Sequence, residues 1–458
     1  MKLHKEILRL AVPSILAGIT VPLVGMVDMA VVGHLSAEAS ASLIGGISIG
    51  TMLFDLLYWN FAFLRAGTGG LTAQACGKKM ADQVGHDVMP GSDRASAELG
   101  GILGRALRIA LLSGLVLIAL QWVVVRLAFL VVDCSPEVRA LATRYFYIRI
   151  WAAPATLSLF AFKGWFIGLQ DSVRPMLADL LVNGLNMLLS AALAFGWAGL
   201  PAMGFNGVAV GTVIAQWSGF AYCLAAARRR YAWNVNALRS TNYTNPPRQN
   251  RIGENAQSAQ SQELPHHAFF SLNRDLFLRS VGMIAVYIGF TVLSARYGDL
   301  MLAVSAILMK FLLLFSYFTD GFAFAGEALT GRFIGEGSLE GVESTVRQTF
   351  AWSWAMAGLF MMVYGFGGTP LFRLMTSAPE VVEAGRQFIP WLLLMPLIGC
   401  PAFMWDGIFI GATASKDLRN STLLCAVGFF AVWFVGLSLG AGSTPSRAIH
   451  LLMGAYFM

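Results

Sequence analysis

Long apolar stretches recur along the whole chain and are separated by shorter polar ones. About 20 apolar residues are enough to cross the hydrocarbon of a bilayer as a helix. The pattern therefore predicts an all-α, polytopic helical membrane protein with eleven full helices and the start of a twelfth. The predicted spans are 7–32, 42–66, 102–131, 143–169, 175–197, 206–227, 275–296, 300–325, 346–368, 385–411 and 420–441, with a fragment from 448.

The final apolar segment, 449–458, is short for a membrane span. A helix rises about 1.5 Å per residue and the hydrocarbon is about 30 Å thick. We therefore expect the twelfth helix to be incomplete in this sequence.

The longest polar stretch, 229–272, is rich in Asn, Gln, Arg, Ser and Pro, which is typical of a poorly ordered linker. It divides the chain into a predicted N-terminal six-helix lobe, 1–228, and a C-terminal lobe, 273–458. A second polar insertion covers 82–100. We expect both polar segments to lie in the cytoplasm.

Two motifs occur once in each half. The segment SPEV at 135–138 corresponds to APEV at 378–381, and GWFIG at 164–168 corresponds to GIFIG at 407–411; both offsets are 243 residues. Because each half has an even number of spans, the two repeats must share one orientation. We therefore predict a pseudo-twofold axis along the membrane normal with a cavity between the lobes, an arrangement typical of transporters.

Positive charges are distributed unevenly between the loops. The chain carries 32 Lys and Arg residues against 25 Asp and Glu, a net charge of +7. With the N-terminus inside, twenty of these cations lie in cytoplasmic loops and their flanks, and six lie in outer loops. This distribution predicts a cytoplasmic N-terminus. Topology accounts for the basic character, so no nucleic-acid partner is predicted.

The sequence lacks motifs of enzymes. Its five cysteines have no C-x-x-C spacing, and its six histidines have no metal-ligand spacing. No Walker A motif occurs, and the two G-x-S-x-G strings, 46–50 and 436–440, lie inside predicted membrane spans, whereas a nucleophile elbow requires a strand-to-helix turn. We expect no enzymatic activity, no cofactor, no bound metal and no direct use of ATP.

Asp28 lies near the outer end of the first predicted span. An acid inside the membrane costs roughly 2.5–3.5 kcal/mol on insertion scales unless it faces protein or water. A coupled exporter requires at least one carboxylate that can exchange a proton for a cation. Pro22 cannot donate a hydrogen bond to the Gly18 carbonyl, so Pro22 and nearby Gly25 are predicted to form a hinge.

Polar residues form a stripe on the fifth predicted helix, at spacings of four, three and four residues. Lipid cannot satisfy such a stripe, so it must face a cavity or another helix. With Thr212 of the sixth helix, it is a candidate coupling site around Asp28. The stripe consists of Asp179, Asn183, Asn186 and Ser190.

In the second half, Asp320 and Glu327 lie two turns apart on the eighth predicted helix. Asp406 on the tenth helix occupies the repeat position of Lys163 on the fourth. Asp406 and Lys163 carry opposite charges, so they either form a salt bridge near the pseudo-axis or each act within their own lobe. All four residues are candidates for binding substrate or a second proton.

Five segments together resemble one family. They are VDMAVVGHL from Val27, FLRAGTGGLTAQACG from Phe63, KGWFIGLQDSVRP from Lys163, DGFAFAGEALTGRFIG from Asp320 and WDGIFIGATASKDLRNS from Trp405. They are similar to the MATE (multidrug and toxic compound extrusion) family, and most to its DinF-like branch. The resemblance implies two six-helix lobes in a V shape in the bacterial inner (cell) membrane. It also implies antiport of bulky, often cationic compounds against protons or sodium ions.

The resemblance also assigns roles to residues. In the proton-coupled branch, the acid matched by Asp28 is the coupling residue, and Asn186 matches the family's Asn. This chain has Ser190 where those relatives carry a second Asp. Asp406 matches an acid of the sodium-coupled relatives, but their seventh-helix Glu has no counterpart between 275 and 299.

The sequence therefore predicts a cation-coupled antiporter that exports amphipathic, often cationic organic compounds. We expect protons as the coupling ion, with sodium the alternative, and a monomer surrounded by membrane lipids. The alternative function is a flippase for lipids or lipid-linked substrates. That alternative rests on three cations within the predicted spans, Arg65, Lys163 and Lys310.

Overall fold

Helices make up nearly all of the described chain. The computed structural model describes residues 2–35, 40–85, 91–132, 134–231, 266–375 and 379–457. These ranges contain no strand. The helices are α1 (Lys2–Gly33), α2 (Ser40–Trp59), α3 (Phe63–Gly85), α4 (Gly91–Ala119), α5 (Gln121–Val131), α6 (Pro136–Arg149), α7 (Ala153–Gly168), α8 (Val173–Phe195), α9 (Phe205–Tyr231), α10 (His266–Ala295), α11 (Asp299–Glu336), α12 (Leu339–Met375), α13 (Pro379–Arg386), α14 (Ile389–Gly411), α15 (Ser415–Ser438) and α16 (Pro445–Phe457).

Eleven helical stretches within the described residues are long and apolar enough to cross a membrane. α2 and α3 together provide one of them, and α6 and α7 another. The prediction of eleven full spans is confirmed, and α16 follows the eleventh.

Several helices extend beyond the predicted spans. α3 continues to Gly85, so the predicted insertion at 82–100 is helical from its start to Gly85 and again from Gly91. α9 reaches Tyr231 and α10 begins at His266, so the ends of the predicted linker are helical. The rest of the linker, 232–265, lies outside the described residues. Hydropathy identifies the apolar part of a helix, whereas backbone hydrogen bonds can continue through polar residues.

The repeated PEV motif marks the start of a helix in each half. The Ser135 hydroxyl accepts a hydrogen bond from the Val138 backbone N–H (3.4 Å), and Pro136 begins α6. In the second half, Pro379 begins α13. A hydroxyl cap followed by Pro at the first helical position is a favoured helix start. The hydroxyl accepts a hydrogen bond from a first-turn N–H that has no partner within the helix, and Pro has no N–H to leave unpaired.

The helices pack as two bundles that meet along α1, α3 and α11. In the N-terminal lobe, α8 packs against α9 and α1, and α3 packs against α4 and α7. In the C-terminal lobe, α11 packs against α12 and α14, and α10 packs against α15. α1 and α3 also pack against α11. These three helices therefore connect the two lobes.

Glycine contacts at the crossing of α3 and α11 display the repeat in three dimensions. A Cβ atom at Gly77 would overlap the Arg332 carbonyl oxygen, and a Cβ atom at Gly335 would overlap the Gln74 carbonyl oxygen. Gly77 and Gly335 are 258 residues apart in sequence, as are Gln74 and Arg332. Exchange of equivalent partners is the mark of a twofold relation. The pseudo-twofold axis therefore passes through this crossing.

Replacing Gly335 with Ala is expected to lower the melting temperature, because the added methyl group forces α3 and α11 apart. Overpacking of this kind costs about 1–3 kcal/mol. Gly358→Ala is the matched control, since a Cβ atom there meets nothing within 4 Å and Ala favours a helix over Gly. Thermal unfolding of both purified variants checks the prediction, and equal melting temperatures would contradict the close crossing.

Candidate functional site

Asp28 lies on α1 with 8% of its surface exposed. Its Oδ1 atom has no hydrogen-bond partner among the described residues. The Ser190 hydroxyl and the Arg149 guanidinium both interact electrostatically with the carboxylate. An ionised carboxylate with an unpartnered oxygen is costly inside a membrane span. The site is therefore suited to accept a proton or a cation.

A hydrogen-bonded group beside Asp28 joins α8 to α9. The Ser190 hydroxyl donates to the Oδ1 atom of Asn186 at 3.0 Å, and the Thr212 hydroxyl lies 3.1 Å from the same oxygen. All three side chains are buried. The structure thus brings Asn186, Ser190 and Thr212 together, and Ser190 is the member that also interacts with Asp28.

The other half of the polar stripe has different partners. The Asn183 amide donates to the Thr20 hydroxyl on α1 at 2.6 Å. Asp179 forms an ion pair with Lys163 of α7, with 2.5 Å between its Oδ1 atom and Nζ. Eleven residues separate Asp179 from Ser190, about 16 Å along a helix. Asp179 therefore lies apart from the group around Asp28.

α1 is a single continuous helix that contains Pro13 and Pro22. A Cβ atom at Gly25 would have no neighbour within 4 Å, so this side of the helix is open. Gly18, whose carbonyl Pro22 cannot bond, packs against Tyr317 of α11. The predicted hinge therefore lies between Asp28 and a contact with the C-terminal lobe.

Two ion pairs organise the acids of the second half. Arg65 of α3 donates to the Glu327 carboxylate at 2.9 Å, and the Glu327 side chain is fully buried. The Arg65 guanidinium also lies 4.4 Å from the centre of the Phe324 ring. Asp406 pairs with Arg279 of α10 at 2.5 Å. The opposite charges at the repeat positions, Lys163 and Asp406, thus each pair within their own lobe.

Two arginines near the candidate acids were not identified from the sequence: Arg149, near Asp28, and Arg279, beside Asp406. Arg149, at the end of α6, donates to the Tyr145 hydroxyl at 3.1 Å and lies 4.7 Å from the centre of the Phe54 ring. It acts electrostatically on Asp28 and Asp55. The sequence signal for Arg149 was its spacing of four residues from a tyrosine. The sequence signal for Arg279 was its position inside a long apolar span.

The charged residues do not form a metal site in the part of the chain that the structure describes. Of the three cations that suggested a flippase, Arg65 and Lys163 are paired with acids. No group of three or more His, Cys, Asp or Glu side chains within the described ranges is placed to hold a metal ion.

Comparisons with known proteins give one consistent result. A protein-family model, MatE, matches residues 13–91, 94–192 and 276–435, more than half of the chain. The chain is 32% identical to DNA damage-inducible protein F of Escherichia coli (strain K12), over 93% of this chain and 84% of that protein. It is 23% identical to a probable multidrug resistance protein NorM of Thermotoga maritima, over 94% of this chain and 84% of that protein.

A solved structure shares the fold. The chain aligns with the Vibrio cholerae MATE transporter VcmN in the bent form with a TM-score of 0.75 at 18% identity, over 99% of this chain and 94% of that one. At this level of identity the likeness establishes the fold alone.

Proposed function

Because the chain belongs to the MATE family of multidrug efflux transporters, we propose that it is a proton-coupled antiporter of amphipathic, often cationic organic compounds. Members of the family are secondary transporters, not enzymes. We place the protein in the bacterial inner membrane with its N-terminus in the cytoplasm, working as a monomer among membrane lipids. Protons entering the cell drive the compound out.

The observation that carries this proposal is the buried Asp28 with an unpartnered Oδ1 atom. As an anion it attracts a proton strongly, since the surrounding span cannot solvate its charge. As a neutral acid it loses that cost and gains a hydrogen that it can donate. The two protonation states of Asp28 therefore differ in their hydrogen bonds as well as in charge.

Ser190 transmits the protonation state of Asp28 to α8. A hydroxyl has one hydrogen; that of Ser190 is placed to donate to the Asn186 Oδ1 atom, and the same hydroxyl also interacts with the Asp28 carboxylate. When Asp28 is ionised, the hydroxyl donates to it. When Asp28 is protonated, the acid donates to Ser190 and the hydroxyl turns to Asn186. Proton uptake thus rearranges the contact between α1 and α8.

Pro22 converts that local change into movement of α1. The helix lacks the hydrogen bond that residue 22 would otherwise donate, so bending there is easier than in the parts of α1 that contain no proline. The bond from Asn183 to Thr20 holds α1 to α8 just before the proline. A changed contact at Asp28 therefore bends the part of α1 that follows this anchor.

The choice of protons over sodium rests on the second lobe. Asp406 already has a cation, Arg279, at 2.5 Å. A carboxylate with a resident guanidinium does not need a sodium ion to neutralise it. The seventh helix also lacks the Glu that would complete such a site.

The test is transport of ethidium in proteoliposomes under a pH gradient and, separately, under a sodium gradient. We expect the pH gradient to drive ethidium transport and the sodium gradient to leave it at the rate of protein-free liposomes. Transport driven by sodium alone would overturn the proposal.

A further inference from the structure

Five charged groups meet where α3, α10, α11 and α14 approach one another. Arg65 pairs with Glu327, and Arg279 pairs with Asp406. Both arginines and Asp406 act electrostatically on the fifth group, Asp320. Among the described residues, Asp320 has neither a salt bridge nor a side-chain hydrogen bond. The group therefore contains one more acid than arginines, and Asp320 is the acid without an ion pair.

Asp320 is half-buried on α11, at the boundary with α1. Three residues before it, Tyr317 packs against Gly18 of α1, and one residue after it, Gly321 packs against Ile15 of α1. Four residues after it lies Phe324, whose ring already faces the Arg65 cation at 4.4 Å. The carboxylate is therefore flanked on its own helix by two aromatic rings.

This environment fits an organic cation with an apolar body. A carboxylate without a resident cation supplies the attraction, and aromatic rings favour both positive charge and apolar surface. A small inorganic ion would leave the aromatic surface unused. An anion would be repelled by the net charge of the group.

We propose that Asp320 binds the positive group of the transported compound, with the Tyr317 ring against its apolar body. The proposal rests on the antiport function proposed above and adds a second carboxylate to it. The proton binds to Asp28 in the N-terminal lobe and the compound binds to Asp320 in the C-terminal lobe. The proton and the compound therefore bind to different acids and do not compete for one.

α1 links the two carboxylates. The carbonyl that Pro22 leaves without an intrahelical donor belongs to Gly18, and Gly18 is the residue that packs on Tyr317. The turn from Gly18 to Pro22 opens when α1 bends, so bending changes the contact between Gly18 and the ring beside Asp320. Proton uptake at Asp28 therefore lowers the affinity of the distant Asp320 site for the compound. By the same linkage, binding of the compound lowers the affinity of Asp28 for the proton.

The test is calorimetric binding of tetraphenylphosphonium to the purified full chain, without any gradient. Asp320→Asn should weaken binding by at least about tenfold, which corresponds to about 1.4 kcal/mol. Asp320→Glu should restore most of the affinity. The neutral analogue triphenylphosphine oxide should bind the wild type and Asp320→Asn equally well. Glu380→Gln, which neutralises an exposed acid on α13 of the same lobe, is the control that should keep wild-type affinity for the cation.

Asp28→Asn separates this inference from the proposed function. Because Asn resembles the neutral acid, we expect it to weaken tetraphenylphosphonium binding by about threefold, which is under 1 kcal/mol and less than the loss in Asp320→Asn. Wild-type affinity in Asp320→Asn, or loss of binding in Asp28→Asn alone, would overturn the role of Asp320 without touching proton coupling. Sodium-driven transport would instead overturn the coupling and leave the binding result intact. If Asp320→Asn does not fold, Asp320→Ser takes its place with the same expected loss.

Discussion

Replacing Asp28 with Asn is expected to reduce proton-driven ethidium transport in proteoliposomes to the rate of passive leak. Asn is close to Asp in shape and keeps polar atoms beside Ser190, but it cannot take up or release a proton. Without that change, the Ser190 hydroxyl and α1 stay in one arrangement. The initial rate of ethidium movement under a pH gradient is the measurement.

The matched control for Asp28 is Asp55→Asn. Asp55 is an exposed acid on α2 of the same lobe and, like Asp28, lies within electrostatic range of Arg149. We expect its neutralisation to leave proton-driven transport intact. Equal loss in both variants would show that the lobe's total charge matters and would contradict a specific role for Asp28.

Removing one partner of the Arg65–Glu327 pair is expected to destabilise the protein strongly. Glu327→Ala leaves the Arg65 guanidinium without its carboxylate, and breaking a buried pair in this way costs about 3–5 kcal/mol. Replacing both residues with Met should recover much of that loss, because no uncompensated charge is then buried. Thermal unfolding of the single and double variants measures the difference.

The control for this pair is Glu383→Ala, which removes the partner of Arg386 in an exposed ion pair on α13. Exposed pairs contribute little to stability, so the melting temperature should hardly change. A Glu327→Ala variant as stable as Glu383→Ala would mean that the Arg65 pair does not hold α3 to α11.

Hydropathy predicted the membrane spans well because each apolar stretch must be long enough to cross the bilayer. It failed at the helix ends, as at Gly85 and His266, because helical hydrogen bonding continues through polar residues. The repeat was visible in the PEV and glycine motifs. Its three-dimensional form, with Gly77 and Gly335 exchanging partners, required the structure.

The candidate site was predictable where partners share a helix or lie on neighbouring helices. The spacing of Asn186 and Ser190 indicated one face of α8, and Thr212 follows on the next helix. The pair Arg65–Glu327 joins residues 262 positions apart. Which distant helices cross, and at what height, depends on packing of the whole bundle, so no local pattern revealed this pair.

Proton movement driven by ethidium alone tests the central claim of proton antiport through Asp28 most directly. Proteoliposomes with equal pH and sodium on both sides, and with the membrane potential clamped by potassium and valinomycin, receive an ethidium gradient while an indicator reports luminal pH. We predict that protons move opposite to ethidium in the wild type and do not move in Asp28→Asn. A luminal pH that stays constant while ethidium crosses the wild-type membrane, or that changes equally in Asp28→Asn, would contradict the claim.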